Sequence, residues 1–546
     1  MPVKIHHFFT NKTFLIAAAI VLLFPALFVH LGLVAFYDDE AIRALVALEM
    51  QISGNYITPT MFGELYYNKP PLYNWILLAI FELTGRNDEF ICRSVTVFFL
   101  FSYAGSVYLF YKKNISPSHS GLPSSAEYLP LLTAFAFLTC GRILFWDSML
   151  GLIDICFSWI MFLLFMVIYD KGEKGEHGKL FAWSYFLAAI GYMLKGLPAI
   201  AFLGIALLTY FIWQKKTRLL FSWLHVLGGS IFLAIVGSYY YLYSQENGLG
   251  EILKTVFDES AKRTFVEHGW GDTVLHLFTF PVEMWYHFLP WTLILICFFQ
   301  KNIFREIREN KFITWSLLVF ITTIIPYWSS VEVYPRYLFM HVPLVFSALF
   351  YIYLKRKKEK AWQSNVVEMI FFAATCLAIV AMVLPLAWHA AKDTPFLYEK
   401  SLGLALALTM LALLFWKWKS HRMLVFVMVL LVARIGYNFF ILPSRVKIEC
   451  STQVRKTTHE AIRVADGKPI YIYKNSLGFQ PMTGYYFTRE TEAILEKKHG
   501  DEIEENAFYL VHPGAYDASI FKKYGEVKIK WECGELWFMG PKDEID

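Results

Sequence analysis

The amino-acid sequence predicts a polytopic α-helical membrane protein that carries a small α/β domain at its C-terminal end. Three observations lead there. Of 546 residues, 57% are hydrophobic and only 17% charged, with a mean hydropathy of +0.44. That leaves too little polar surface for a water-soluble chain of this length. Apolar stretches near the roughly 20-residue spanning length recur along most of the chain. The tail from about 443 onward then changes character, becoming charged with short alternating segments.

Thirteen apolar stretches qualify as spans: about 13–36, 88–111, 127–145, 150–169, 181–194, 197–213, 222–243, 282–299, 312–328, 335–354, 366–388, 400–416 and 421–441. The first is too long for a cleavable signal and lacks a small-residue cleavage site. With the N-terminus cytoplasmic, the inside loops read "KKN", "DKGEKGEHGK", "QKKTR", "KNIFREIRENK", "KRKKEK" and "KWKSHR". Every one of them carries two or more Lys or Arg, as the positive-inside rule requires. Thirteen spans place the C-terminus outside. The net charge of +5 therefore records topology, and nucleic acid is not an expected partner.

The tail, 443–546, offers strand-like segments in "KPIYIYKN", "NAFYLVHP" and "EVKIKWECGELWFMG", with a helix-like acidic stretch in "TEAILEKKHGDEIEE". It is expected to form a small α/β domain on the outer side, following a transmembrane region over 1–442. Cys450 and Cys533 both fall in it, and that compartment permits a disulfide between them. No Gly-rich phosphate loop, zinc-ligand spacing or internal repeat stands out.

Charge concentrates against the trend in the first outside loop, 37–88. It opens with "YDDEAIRALVALEMQISGNYITP", in which Ile42, Leu45, Val46 and Met50 follow helical spacing and Gly54 is a natural stop. This reads as an amphipathic interfacial helix entered through Asp38, Asp39 and Glu40. One of these acids could serve as a helix cap, but three exceed what a cap needs. Next comes "GELYYNKPPLYNWILLAIF", where Lys69 is fixed on a Pro-Pro elbow ahead of a second interfacial segment around 72–84. Other outside loops add Asp147 in "LFWDSML", Lys195 in "MLKGLPA", Arg263 and His268 in "DESAKRTFVEHGWGD", and Arg336 and Tyr337 in "VEVYPRYLFMHVPL". Each alone is accounted for by snorkelling or local structure. Carboxylates and cations converging on one membrane face favour a site, because charge there is costly. Carboxylates beside several cations suit a substrate that carries phosphate. The cations neutralise the leaving group while a carboxylate takes a proton from an acceptor hydroxyl. A phosphate held at the bilayer surface most simply belongs to a lipid.

At these residues the chain resembles the GT-C glycosyltransferases of the protein O-mannosyltransferase superfamily. The likeness is greatest to bacterial aminoarabinose (lipid A) transferases and related undecaprenyl-phosphate-sugar enzymes. The first-loop pattern appears here as Asp39-Glu40, Glu49-Met50, Gly54-Asn55 and "YYNKPPL", in the same order over about 35 residues. Weaker matches are Asp147, "KG" at 195–196, Glu259 with Arg263, "LPW" at 289–291 and Tyr337. The resemblance implies a GT-C-like fold and transfer of a sugar from a polyprenyl-phosphate donor. The acceptor would be lipid A, another envelope glycan or a protein side chain. It implies Asp39 as catalytic carboxylate, with Asp147 and Glu40 orienting sugar or acceptor. Tyr66, Lys69, Arg263 and Tyr337 would bind substrate, joined by Lys195 and Arg336. It also implies a multi-pass protein of the inner membrane, in contact with its lipids, whose C-terminal domain is periplasmic. Two departures weaken the case for a bound divalent metal and for aminoarabinose as the sugar. Asn68 precedes the lysine where Glu is usual, and Ser260 stands where His is common. No cofactor is implied by ligand spacing.

Two other classes compete. A transporter or flippase of a lipid-linked or anionic substrate would also hold membrane-embedded charge, but usually with broken helices in repeated halves. A membrane scaffold with a binding tail leaves the first-loop pattern unexplained.

Overall fold

Apolar residues at spanning length fold as helices because a buried backbone must bond internally, and most of the expected stretches do so. The computed structural model describes residues 12–37, 39–115, 127–252, 254–255, 265–500, 503–515, 517, 519–530 and 533–542. Among these, seven helices are long and apolar enough to cross a membrane: Glu89–Asn114, Ile153–Glu173, Trp223–Glu246, Lys311–Trp328, Trp362–Leu386, Leu397–Lys417 and Arg422–Ile448. An eighth is reached if Leu129–Thr139 and Gly141–Met149, bent by 43°, form one span. Lys12–Phe28 and Pro198–Trp213 are apolar but shorter. Ile153–Glu173 packs against His177–Lys195, and Lys12–Phe28 against Arg422–Ile448, so the first and last helices of the bundle are neighbours.

Two of the expected spans are interrupted. Over 282–299 there is no continuous helix. Phe265–His287 ends before Pro290, and a 3-10 helix, Trp291–Phe298, follows, because proline disfavours helical geometry at the residue before it. The stretch 127–145 breaks at Cys140. There the Gly141 N–H donates to Leu289 O at 2.6 Å, and a Cβ at Gly141 would lie 2.9 Å from that oxygen. Trp291 closes the same junction by donating to Thr139 Oγ1, 3.1 Å.

The first long loop, 37–88, contains the helix Glu40–Ser53, stopped by Gly54 in the left-handed region, a hairpin Thr60–Met61/Glu64–Leu65, and the helix Leu72–Thr84 entered through Pro71. Glu40–Ser53 does not present one open face. All residues from Glu40 to Met50 are buried, because the C-terminal region covers the side turned away from the bundle. Helix Pro481–Thr491 lies on it. Tyr486 Oη donates to Glu89 Oε1 (2.7 Å) and accepts from Phe36 N (3.1 Å), and Tyr485 Oη donates to Asn87 O. Lys497 and His499 hold Glu64 at 2.6 and 2.8 Å.

That region is built on a five-stranded sheet. Its order is Lys497–Lys498, Ile470–Tyr473, Phe508–Val511, Glu535–Pro541, Phe521–Lys528, parallel over the first three strands and antiparallel beyond. Ile470 faces Phe508, and Ile472 faces Leu510. Helices Cys450–Ala465 and Pro481–Thr491 accompany it, and Cys450 is disulfide-bonded to Cys533. The acidic stretch beyond Thr491 is not helical over its described residues. Glu492 takes a positive φ of 52°, and Glu496 O and Lys498 O accept from Ile472 N and Lys474 N along the sheet. Sheet pairing satisfies that backbone where an isolated acidic helix would have had no apolar face to bury. The last span also continues past 443, with Pro443 inside it, and ends at Ile448.

Candidate active site

Two adjacent cavities that share part of their walls lie between the loop 37–88 and the ends of the bundle helices. The larger, about 660 Å³, has walls that include Tyr192, Phe202, Tyr239, Tyr240, Tyr243 and Tyr327. The smaller, about 240 Å³, holds Asp39, Arg43, Asp154 and Arg336. Tyr66, Asn68, Lys69, Lys195 and Tyr337 line both and mark the passage between them.

Local structure explains why these side chains converge. Asp39 sits at the N-terminal end of Glu40–Ser53, half-exposed toward the smaller cavity. Arg336 comes from a 3-10 turn, Pro335–Leu338, that precedes the helix Val342–Lys358. Its Nη2 donates to Asp39 Oδ2 at 2.8 Å, while its Nε lies 3.4 Å from Asp154 Oδ2. Asp154 stands in the first turn of Ile153–Glu173, where the helix dipole favours an anion. Its other oxygen binds Lys195 Nζ. Lys195 is the last residue of its helix, and Gly196 then turns away with φ +83°, open to glycine at little cost. The ammonium of Lys195 lies 3.7 Å from the centre of the Tyr337 ring, and the Arg336 guanidinium 4.4 Å from that of Tyr334. Lys69, on the Pro-Pro elbow, is half-buried at the passage and adds its charge to the field at Asp154. The chain Asp39–Arg336–Asp154–Lys195 is thus an alternating network with Lys69 beside it.

Six of the expected residues, Asp39, Tyr66, Lys69, Lys195, Arg336 and Tyr337, line this space. Tyr66 is fixed by Arg43, whose Nη2 donates to its Oη at 2.8 Å. Glu40 points elsewhere. It is buried against Arg93 (2.7 and 3.0 Å) and accepts from Gly151 N at 2.8 Å, which ties the first-loop helix to the bundle. Asp147 is buried beside the network, with Oδ2 held by Arg142 at 2.5 Å, and does not line either cavity. Arg263, Glu259 and Ser260 lie outside the described residues, as does Asp38. Sequence reasoning missed Asp154 and Arg43. The signal for Asp154 was present: an aspartate inside an apolar span requires a partner.

Among the described residues no three His, Cys, Asp or Glu converge as a metal site. The donor set also argues against one here, since Asp39 and Asp154 are both engaged by cations and Asn68 supplies no charge.

No family model matches the chain. Over 196 residues it is 24% identical to the undecaprenyl phosphate-alpha-4-amino-4-deoxy-L-arabinose arabinosyl transferase of Shewanella sediminis, covering 35% of this chain and 34% of that protein. Over 185 residues it is 26% identical to arabinosyl transferase 2 of Proteus mirabilis, covering 33% and 32%. The match spans about a third of the length of these curated relatives. Among solved structures, ArnT from Cupriavidus metallidurans bound to undecaprenyl phosphate superposes with a TM-score of 0.66 at 15% identity, covering 97% of this chain and 99% of that one. Its apo state gives 0.62. The chain has the fold of ArnT, and the resemblance read from its first loop is matched by its sequence relatives.

Proposed function

We propose that this protein is a membrane glycosyltransferase that moves a sugar from a polyprenyl-phosphate donor to an acceptor outside the cytoplasm. The observation that carries the reading is the passage between the two cavities. Lys69, Lys195 and Tyr337 stand where a tyrosine-lined apolar space meets a charged one. A polyprenyl chain suits the first, and a phosphate suits the cations at the junction. The sugar then projects toward Asp39. The arabinosyl transferases this chain resembles, named for an undecaprenyl-phosphate sugar, and the undecaprenyl phosphate in the ArnT structure support the same donor class.

In this mechanism the bond between the anomeric carbon and the phosphate oxygen breaks, and the bond to the acceptor oxygen forms. Lys69 and Lys195 stabilise the negative charge that develops on the departing lipid phosphate, which is worth most where water is excluded. Arg336 bridges Asp39 and Asp154 before donor binds. An arriving phosphate competes for that guanidinium and leaves Asp39 to accept the acceptor proton. Asp154 holds Lys195 and Arg336 in place, and Tyr66 shapes the passage. Asp147 and Glu40 act at one remove, through Arg142 and Arg93. The acceptor is lipid A, another envelope glycan or a protein side chain.

The reading includes an inner-membrane location, thirteen crossings with the N-terminus cytoplasmic, and a periplasmic domain from about 450. The experiment that tests the function is mass spectrometry of envelope lipids and glycoproteins from a deletion strain. Loss of one sugar substituent, restored by the wild-type chain and not by Asp39→Asn, supports it. An unchanged envelope glycome contradicts it.

A further inference from the structure

One side chain at the charged cavity comes from neither the bundle nor the first loop. Phe479 belongs to the C-terminal region, in the segment joining strand Ile470–Tyr473 to helix Pro481–Thr491, and it lines the smaller cavity with Asp39, Asp154 and Arg336. It is 53% exposed, while its neighbours Leu477 and Gln480 are 2% and 7% exposed. A phenylalanine with a sheet core close by would ordinarily be turned into it. Here the segment holds it out. Lys474 and Gly478 adopt positive φ of 51° and 58°, Ser476 N donates to Tyr473 O, and Gly478 N donates to Asn475 O. The helix that follows packs on the first-loop helix and is tied by Tyr485 to Asn87 O and by Tyr486 to Phe36 N and Glu89, so the ring is carried on a braced element.

We infer that Phe479 is a specificity-determining residue that stacks on the donor sugar, so that the sugar end of the site is completed by the C-terminal domain. This rests on the glycosyltransferase reading above. Phe479 lines only the smaller cavity, whereas Lys69, Lys195 and Tyr337 line both. It therefore faces what projects beyond the phosphate, not the lipid. The cavity's 240 Å³ corresponds to about eight waters at ~30 Å³ each, room on the scale of one sugar ring. Its other aromatic residues, Tyr66 and Tyr337, line the larger cavity as well, and the rest of the wall is charged or aliphatic apart from Asn68. An aromatic face, negative at its centre, attracts the polarised C–H groups of a sugar ring, as it does other positive edges. The charged groups around it meet the hydroxyls.

The test uses the purified full-length protein with two kinds of probe: polyprenyl phosphate alone, and a panel of polyprenyl-phosphate pentoses and hexoses. Phe479→Ala is expected to raise KM and Kd for the sugar-bearing donor roughly five- to tenfold, the scale of one aromatic contact. Its affinity for polyprenyl phosphate alone and its thermal stability should stay unchanged. Phe479→Trp should restore donor binding and shift the preference among sugars, and Phe479→Leu should not restore it. Equal weakening of both ligands, a change confined to the acceptor KM, rescue by Leu equal to that by Trp, or no change would each overturn the inference. Wild-type protein that transfers sugar while Phe479→Ala is indifferent overturns this inference alone. Wild-type protein that neither binds nor cleaves any donor in the panel overturns the glycosyltransferase reading beneath it.

Discussion

Replacing Asp154 by asparagine tests the charge network at its centre. The Asp154, Lys195 and Arg336 side chains are 6%, 5% and 4% exposed. The substitution keeps shape and one acceptor oxygen, so what is lost is charge. At 3.4 Å, with an effective dielectric of ~20, one such pair attracts by about 5 kcal/mol. Desolvation already offsets part of this, and removing one partner of a buried pair costs about 3–5 kcal/mol. Arg336 retains Asp39 at 2.8 Å, which argues for the lower end, about 3 kcal/mol. In a body of this size that corresponds to a fall in Tm of roughly 2–3 °C. The sign of the ligand effect is more diagnostic. An anionic headgroup at the passage supplies the negative charge that the neutral amide lacks, so polyprenyl phosphate should raise the Tm of Asp154→Asn more than that of wild type. Thermal unfolding followed by tryptophan fluorescence, with and without polyprenyl phosphate, reads both quantities. A Tm indistinguishable from wild type, or an equal ligand shift in the two proteins, refutes the network as described.

Asp39→Asn should lose on the order of 10²–10⁴ in transfer rate at unchanged Tm if Asp39 takes the acceptor proton; near-normal turnover removes it from the mechanism. Lys69→Ala and Lys69→Gln should be nearly inactive with weakened donor binding. Lys69→Arg should be partly active, since a planar fork replaces a compact ammonium imperfectly; activity retained in Lys69→Gln contradicts the phosphate role. At Glu64, burial pushes the carboxyl up, but the Lys497 bond and charge, then those of His499, outweigh it and hold it below the usual range. Its folded pKa lies under the unfolded value, so its contribution is present above about pH 4.3 and lost as pH falls through the folded value. The Tm difference between wild type and Glu64→Gln should therefore be present at about pH 7 and shrink as the pH falls below about 4.3, and a difference that does not shrink in acid contradicts it.

Much of this architecture was legible because it depends on local rules. Apolar runs of spanning length became helices, Gly54 stopped the first-loop helix, and Pro71 opened the next. The strands at 470 and 508 followed their alternation. Where partners are distant in sequence, the local signal failed. Asp39 and Glu40 are adjacent acids, yet neighbours on a helix diverge by about 100°. One consequently meets Arg336 at the cavity while the other meets Arg93 inside the bundle. Asp154 was passed over within an apolar run because Lys195 and Arg336 reach it only in the folded bundle. The covered outer face of Glu40–Ser53 depends on helix Pro481–Thr491, far along the chain, which no periodicity in the first-loop helix itself announces. Pro290 was readable as a breaker, and extending a span across it gave composition precedence over backbone chemistry.

The central claim is bond cleavage at a lipid phosphate, and the most direct measurement removes the membrane compartments altogether. Purified protein in detergent is incubated with a polyprenyl-phosphate sugar labelled in the sugar, together with an envelope extract as acceptor, and free polyprenyl phosphate and labelled product are quantified together. The account predicts that the two appear in equal amounts with wild-type protein and that both fall to background with Lys69→Ala. Donor that is bound but recovered intact, with movement of the same lipid between leaflets once the protein is reconstituted in vesicles, would contradict it in favour of a transporter.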